Sequence, residues 1–187
     1  SQVIVNLISE GYVCIGMCDA NWTAPTSMSF FAFFMANACV MSKCKTQHST
    51  ALSTFEAEAM SLSLAVSYSQ WIIGLLRKMA TLPGLNFTLI TPLPILCDNI
   101  AAVFMSQESA VPTKSRHSVM RVAFILESVR KLLNKVFKIP TEENTTDIGT
   151  KHLDAFKFHL HAGTLLGCPP CDPSKVGADG LYSTNQD

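Results

Sequence analysis

The order of apolar and polar positions predicts that the chain opens with three strands. Residues 12–22, 28–36 and 38–47 are apolar runs of strand length, rich in Phe, Cys and Val. Turn-forming residues separate them: an Asp-Ala-Asn cluster and Pro25 after the first run, and Asn37 after the second. Consecutive strands with short connections favour an antiparallel meander, so we expect one in the first third of the chain.

The rest of the chain alternates helical and extended patterns. Ser53-Thr-Phe-Glu56 has capping-box spacing, and apolar residues follow at helical intervals until Leu82-Pro-Gly84. After this long helix, 55–80, the pattern predicts a strand over 91–96, helices over 100–105 and 118–134, a strand over 136–139, and a helix over 147–166. This order predicts an α/β fold in which helices cover a mixed sheet.

Composition is consistent with one folded domain. The 187 residues are 48% hydrophobic and only 15% charged, which excludes disorder for most of the chain. We expect an N-terminal extension over 1–10, the domain over 11–167, and a poorly ordered tail over 168–187, where Pro, Asp, Ser, Gly and Asn dominate.

Several classes of protein are disfavoured by the same data. The most apolar run, 30–40, is too short to span a membrane, and no secretory signal is visible, so we expect an intracellular protein without a membrane partner. Zero formal net charge gives no global case for nucleic-acid binding. Most of the seven cysteines lie in apolar runs, as in a reducing compartment, and the single pair Cys168-Pro-Pro-Cys171 is a weak zinc or redox signal.

Four acidic residues stand where the chain changes direction. Asp19 ends the first strand, Glu56 is in the first turn of the long helix, Asp98 follows the fourth strand, and Asp147 starts the last helix. Each has an alternative structural interpretation. Asp19 can hold a turn, Glu56 can close the capping box, and the other two can cap helices.

Their joint placement points to metal chemistry. If the first and fourth strands are neighbours, Asp19 and Asp98 lie side by side, and the long helix begins near the same edge of the sheet. Converging carboxylates repel one another unless cations lie between them. Hard divalent cations such as Mg²⁺ prefer oxygen ligands, and a pair of them supports phosphodiester hydrolysis.

Four segments of the chain resemble, in order and with the right spacing, the ribonuclease H domain of copia-type LTR retrotransposons. They are CIGMCDANW (14–22), TALSTFEAE (50–58), CDN (97–99) and IPTEENTTDIGTK (139–151). The corresponding family patterns are G-Y-S-D-A-D-W, A-L-S-S-T-E-A-E, C-D-N and I-P-T-E-D-N-x-A-D-I-L-T-K. The resemblance runs from about residue 11 to residue 166.

The resemblance implies both a fold and an activity. The fold is a five-stranded mixed sheet, with three antiparallel strands first and helices on both faces. The family's metal-binding acids correspond to Asp19, Glu56, Asp98 and Asp147, which would hold two Mg²⁺ ions, or Mn²⁺, and cleave the RNA strand of an RNA–DNA hybrid. Glu58 matches the family's second glutamate, to which the resemblance assigns no ligand role. The implied partner is the reverse transcriptase domain of the same polyprotein.

The predicted substrate contacts leave two functions open. Asn99, Arg116, His117 and Arg121 are the candidates, and the last three belong to a basic cluster that also fits the solvated face of a helix. The segment 117–125 departs from the family pattern, which also fits a catalytically silent relative serving as a protein-interaction or nucleic-acid-binding module. His159 and His161, two residues apart on a helix, are expected to be surface residues.

Overall fold

A computed structural model describes residues 2–23, 25–85, 87–107 and 119–167. Two of the predicted substrate contacts, Arg116 and His117, lie outside the described residues. So do the predicted tail over 168–187 and its Cys168/Cys171 pair.

The sheet has the predicted architecture. The meander comprises β1 (Ile15–Asn21), β2 (Met28–Met35) and β3 (Ala38–Thr46), which pair antiparallel. The other strands, β4 (Leu93–Cys97) and β5 (Asn134–Lys138), run parallel to β1, giving the order β3-β2-β1-β4-β5. The five-stranded mixed sheet is therefore confirmed, including the adjacency of the first and fourth strands.

Helices cover both faces of this sheet. Five α-helices are described: α1 (Gln2–Ser9), α2 (Thr54–Met79), α3 (Ile100–Gln107), α4 (Val119–Arg130) and α5 (Ala155–Leu166). The main core, with Phe31, Leu62 and Ile125, lies between the sheet and α2, α3 and α4. A smaller core on the other face includes Leu7 of α1, so the predicted N-terminal extension packs against the domain.

Helix α2 is the central helix of the main core. Ser53 caps it by accepting a hydrogen bond from the Glu56 N–H at 3.2 Å. By length and composition α2 could cross a membrane, but 61% of its apolar window is buried within the molecule. Burial of this kind is what the core helix of a globular domain requires, so α2 is not evidence for a membrane span.

The start of the last helix differs from the prediction. α5 begins at Ala155, where Asp154 accepts a hydrogen bond from the Lys157 N–H at 2.8 Å, rather than at residue 147. The preceding residues, Thr145–Gly149, form a 3₁₀ turn. Gly149 packs so closely on the Phe30 ring that an added Cβ would lie 2.5 Å from it. This long-range contact holds the turn against the sheet and is invisible in local sequence.

The prediction of two surface histidines is wrong for one of them. His161 on α5 is 3% exposed, whereas His159, two residues earlier, is half-buried. Two residues on a helix are separated by about 200°, so the two imidazoles do point in different directions, as expected. Burial lowers the pKa of His161, and the nearby carboxylate of Asp147 opposes that shift.

Candidate metal centre

The sheet places two of the predicted acids side by side. Cys18 of β1 is in register with Cys97 of β4, and because the two strands are parallel, the next residues, Asp19 and Asp98, emerge at the same edge. The 3₁₀ turn brings Asp147 to the same place. One carboxylate oxygen each from Asp19, Asp98 and Asp147 lie within 4.8 Å of one another.

Asn99 and Asn144, rather than Asp98 and Asp147, cap the helical turns that begin beside the site. Asn99 Oδ1 accepts a hydrogen bond from the Ala102 N–H at 3.0 Å, at the start of α3. Asn144 Oδ1 accepts one from the Thr146 N–H at 3.3 Å, and its Nδ2 donates to the Cys18 carbonyl, also at 3.3 Å. The capping interpretation of Asp98 and Asp147 is therefore wrong, and both carboxylates lie next to that of Asp19 instead.

Glu58, rather than Glu56, approaches these aspartates from α2. Its carboxylate, the Cys97 thiol and the Asp98 carboxylate form a second group whose ligand atoms lie within 4.8 Å of one another. Glu58 is 7% exposed, and its Oε2 has no hydrogen-bond partner among the described residues. Asp98 belongs to both groups, so the four carboxylates of Asp19, Glu58, Asp98 and Asp147 form one acidic cluster.

Glu56, which the resemblance makes a ligand, is in neither group of the described residues. Its Oε2 accepts a hydrogen bond from the Leu52 N–H at 2.6 Å, which stabilises the start of α2. Because two residues on a helix are about 200° apart, Glu56 and Glu58 face opposite ways. The structure thus gives Glu56 a structural role at the start of α2, although its carboxylate accepts from the Leu52 N–H rather than from the Ser53 N–H of a complete capping box, and it brings Glu58 to Asp98.

Burial raises the pKa values of Asp19, Glu58 and Asp147. Burial raises the pKa of Asp19 to about 7; the Thr150 hydroxyl and Lys151 oppose the shift, while Asp147 and Asp98 add to it. Burial, with the nearby Cys97, Asp19 and Asp98, raises the pKa of Glu58 to about 10. The pKa of Asp147 is also raised, mainly by burial.

Two further residues of the site were not predicted. Thr150 Oγ1 donates a hydrogen bond to Asp19 Oδ2. Lys151 Nζ lies 2.7 Å from Asp147 Oδ1 and 3.5 Å from Asp19 Oδ1. Both follow the 3₁₀ turn, and Lys151 is four residues after Asp147. The signal that could have identified them is their position in the segment 139–151, three and four residues after Asp147.

The predicted substrate contacts that the structure describes are only partly assembled. Arg121, on α4, lies 3.5 Å from the Ser63 hydroxyl and lines a small cavity of about 80 Å³ together with Lys45 and His48. Arg130, nine residues later on α4, faces about 180° away, so the two arginines do not share one basic face. Asn99 uses its carbonyl oxygen as a cap, and a substrate contact from its amide nitrogen stays a prediction.

No family model matches the chain. It is 26% identical over 160 residues to the retrovirus-related Pol polyprotein from transposon RE2 of Arabidopsis thaliana, covering 82% of the chain and 11% of that protein. It is 28% identical over 134 residues to that from transposon TNT 1-94 of Nicotiana tabacum, covering 72% and 10%. The chain therefore spans about a tenth of the length of these relatives.

Solved structures of ribonucleases H share the fold. LC11-RNase H1, isolated from compost by a metagenomic approach, superposes with a TM-score of 0.57 at 14% identity, covering 73% of this chain and 91% of that one. The N-terminal RNase H domain of rv2228c from Mycobacterium tuberculosis gives 0.51 at 11% identity, covering 73% and 89%. The chain is thus similar in sequence to a segment of plant retrotransposon Pol polyproteins and shares its fold with solved ribonucleases H.

Proposed function

We propose that the protein is a Mg²⁺-dependent ribonuclease H that hydrolyses the RNA strand of RNA–DNA hybrids. The observation that carries this proposal is the acidic cluster, in which the buried carboxylates of Asp19, Glu58 and Asp147 converge with that of Asp98, whose side chain is 8% exposed. Such an arrangement costs free energy in a protein that only needs to fold, because like charges in a low-dielectric environment repel one another.

The donor set fits divalent cations. The orphaned Oε2 of Glu58 and the raised carboxylate pKa values indicate a place where positive charge is needed. Asp19, Glu58, Asp98 and Asp147 supply the oxygen ligands that Mg²⁺ and Mn²⁺ prefer. Bound there, the cations would lower the pKa of water and neutralise charge developing on the phosphoryl oxygens.

The surrounding residues hold these ligands in position before any ion binds. Thr150 fixes the Asp19 carboxylate by a hydrogen bond, and Asn144 ties the turn that carries Asp147 to the β1 carbonyl of Cys18. Asp19 itself lies within a strand paired on both sides, opposite Phe30 of β2. Ligands held by rigid elements and secondary hydrogen bonds need little reorganisation on binding.

The substrate assignment is supported by the relatives. LC11-RNase H1 has been solved in complex with an RNA/DNA hybrid; that structure superposes with a TM-score of 0.52 at 13% identity, covering 70% of this chain and 88% of that one. We extend this substrate to the present chain, with the reverse transcriptase of a parent Pol polyprotein as its partner. We assign phosphate contacts beside α2 to Arg121, Lys45 and His48, which line one small cavity there.

The test is cleavage of a hybrid with labelled RNA by the full 187-residue chain. We expect cleavage with Mg²⁺, none with excess EDTA, and none by Asp98→Asn. Asp154→Asn is the matched control, because it makes the same change at the α5 cap, where Asn serves as well as Asp, and should retain cleavage. A folded wild-type chain that binds hybrid and Mg²⁺ without cutting would refute the proposal in favour of the silent module.

A further inference from the structure

We infer that Lys151 is a counter-cation of the acidic cluster. In the absence of metal its ammonium group lies among the carboxylates, and its positive charge lowers the affinity of the cluster for Mg²⁺. The inference rests on the metal-binding part of the proposed function and concerns a residue to which that function gives no role. It makes Lys151 a positioning residue, since it acts through the carboxylates that it contacts.

One ammonium group reaches three of the four carboxylates. Lys151 Nζ lies 2.7 Å from Asp147 Oδ1, 3.5 Å from Asp19 Oδ1 and 3.8 Å from Asp98 Oδ2. The three aspartate side chains are at most 8% exposed, so water screens their mutual repulsion poorly. A single positive charge among them removes part of that repulsion, and the ammonium contacts the same three carboxylates that would bind a metal ion.

Lys151 can leave the cluster without dismantling it. Its side chain is 36% exposed, and its flexible stem gives the ammonium a path to solvent. Its own N–H donates to the Asp147 carbonyl at 2.9 Å, which fixes its backbone. The carboxylate of Asp19 is held independently by Thr150, and the turn that carries Asp147 is held by Asn144. Exchange of ammonium for metal therefore requires only movement of the lysine side chain.

This arrangement predicts opposite effects on the two states of the site. Without metal, the ammonium stabilises the fold because it neutralises buried negative charge. With Mg²⁺ nearby, the same ammonium repels the ion and competes for its ligands. Because both effects oppose Mg²⁺ binding, removing the positive charge of Lys151 should tighten that binding on the order of tenfold.

The experiment compares Mg²⁺ binding by calorimetry with thermal unfolding in EDTA, for the full chain. We expect Lys151→Met to unfold at a lower temperature in EDTA, and its Kd for Mg²⁺ to fall about tenfold. Lys151→Arg keeps the charge and should keep the wild-type affinity. Lys157→Met removes the same charge from an exposed position on α5 and should change the affinity much less.

Two additions keep the test decisive. If Lys151→Met does not fold, Lys151→Gln retains a hydrogen-bond donor without the charge and should show the same tightening. In the wild type, the side-chain NMR signals of labelled Lys151 should shift on saturation with Mg²⁺. Unchanged or weaker Mg²⁺ binding by the neutral variants, or tightening by Lys157→Met of equal size, overturns the inference.

Failure of the inference and failure of the proposed function give different results. Tighter Mg²⁺ binding by Lys151→Met, in a chain that never cuts the hybrid, refutes the nuclease and supports the counter-cation. Mg²⁺-dependent cleavage by the wild type, with equal Mg²⁺ affinity in the lysine variants, supports the nuclease and overturns the counter-cation. Absence of Mg²⁺ binding by both the wild type and Lys151→Met overturns the inference as well.

Discussion

Glu56 and Glu58 offer a matched perturbation, because they lie two residues apart on α2, are both buried, and face opposite ways. Changing each to glutamine keeps its size and removes its charge. The structure predicts opposite effects of the two substitutions on hybrid cleavage and on stability without metal. Glu58→Gln should lose cleavage and gain stability without metal, whereas Glu56→Gln should lose stability and retain cleavage.

The stability gain for Glu58→Gln follows from its pKa, which burial raises from an ordinary 4.5 to about 10. Between these two values the folded state binds more protons than the unfolded state, so Glu58 makes stability fall as pH rises through this window. At pH 7 the full effect would be about 3 kcal/mol, at roughly 1.4 kcal/mol for each pH unit above 4.5. We expect a gain on the order of 1–3 kcal/mol at pH 7 and almost none at pH 4.

The loss expected for Glu56→Gln comes from the start of α2. Its carboxylate accepts the Leu52 N–H and lies in the first turn, where negative charge is favourable. A glutamine oxygen can still accept that hydrogen bond, but it lacks the charge. The expected cost is therefore about 0.5–1.5 kcal/mol, with little effect on the acidic cluster.

Urea unfolding in EDTA at pH 4 and pH 7, together with hybrid cleavage in Mg²⁺, measures both effects. For Glu58→Gln we expect cleavage to fall on the order of 10²-fold or more, because a direct metal ligand should matter more than an outer-shell partner. If Glu56→Gln abolished cleavage while Glu58→Gln retained it, the assignment of the ligand from α2 would be refuted. Equal stability changes at both pH values would refute the electrostatic argument for Glu58.

Three further changes test other parts of the structure. Gly149→Ala should destabilise the fold by about 1–3 kcal/mol and weaken Mg²⁺ binding in calorimetry, because the added Cβ meets the Phe30 ring. Gly74→Ala is the matched control on α2: the added Cβ has open space, so this variant should be neutral or stabilising by up to about 1 kcal/mol. Asn134→Ala should cost about 1–3 kcal/mol in urea unfolding, because it removes the acceptor of the buried Ser128 hydroxyl, whereas the Ser69 hydroxyl can still donate to the Val66 carbonyl. Asp98→Asn in EDTA should not lower the melting temperature, since it relieves repulsion in the acidic cluster; a marked decrease would contradict that account.

The fold was largely predictable because its signals are local and repeated. β1, β2 and β4 are short, largely apolar runs bounded by turn residues, and the long helix carries its own cap at Ser53. The order of these elements leaves few ways of covering both faces of a sheet, and the observed adjacency of β1 and β4 is one that it allows. That adjacency alone brings Asp19 and Asp98 together.

What could not be predicted depends on contacts between distant parts of the chain. The helical pattern of the last segment extends back to Asp147, yet packing of Gly149 on Phe30 and the hydrogen bond from Asn144 to Cys18 hold a 3₁₀ turn there. These partners are more than 100 residues apart in sequence. The position of Lys151 at the acidic cluster depends on that turn, and no local pattern encodes it.

The choice between Glu56 and Glu58 is different, because the sequence contains part of the information that bears on it. Capping-box spacing from Ser53 already gives Glu56 a partner at the start of the helix. Glu58 continues by one turn a buried stripe of α2, whose other members are Leu62, Ala65, Ser69, Ile72 and Leu76. A carboxylate on the core-facing stripe of a helix cannot be satisfied by solvent, so it requires a partner or an ion. A motif match cannot separate two glutamates two residues apart, and neither can helical phase, because Glu56 is in phase with the buried Ala59 and Val66. What distinguishes Glu58 is its approach to Cys97 and Asp98, which is a long-range contact.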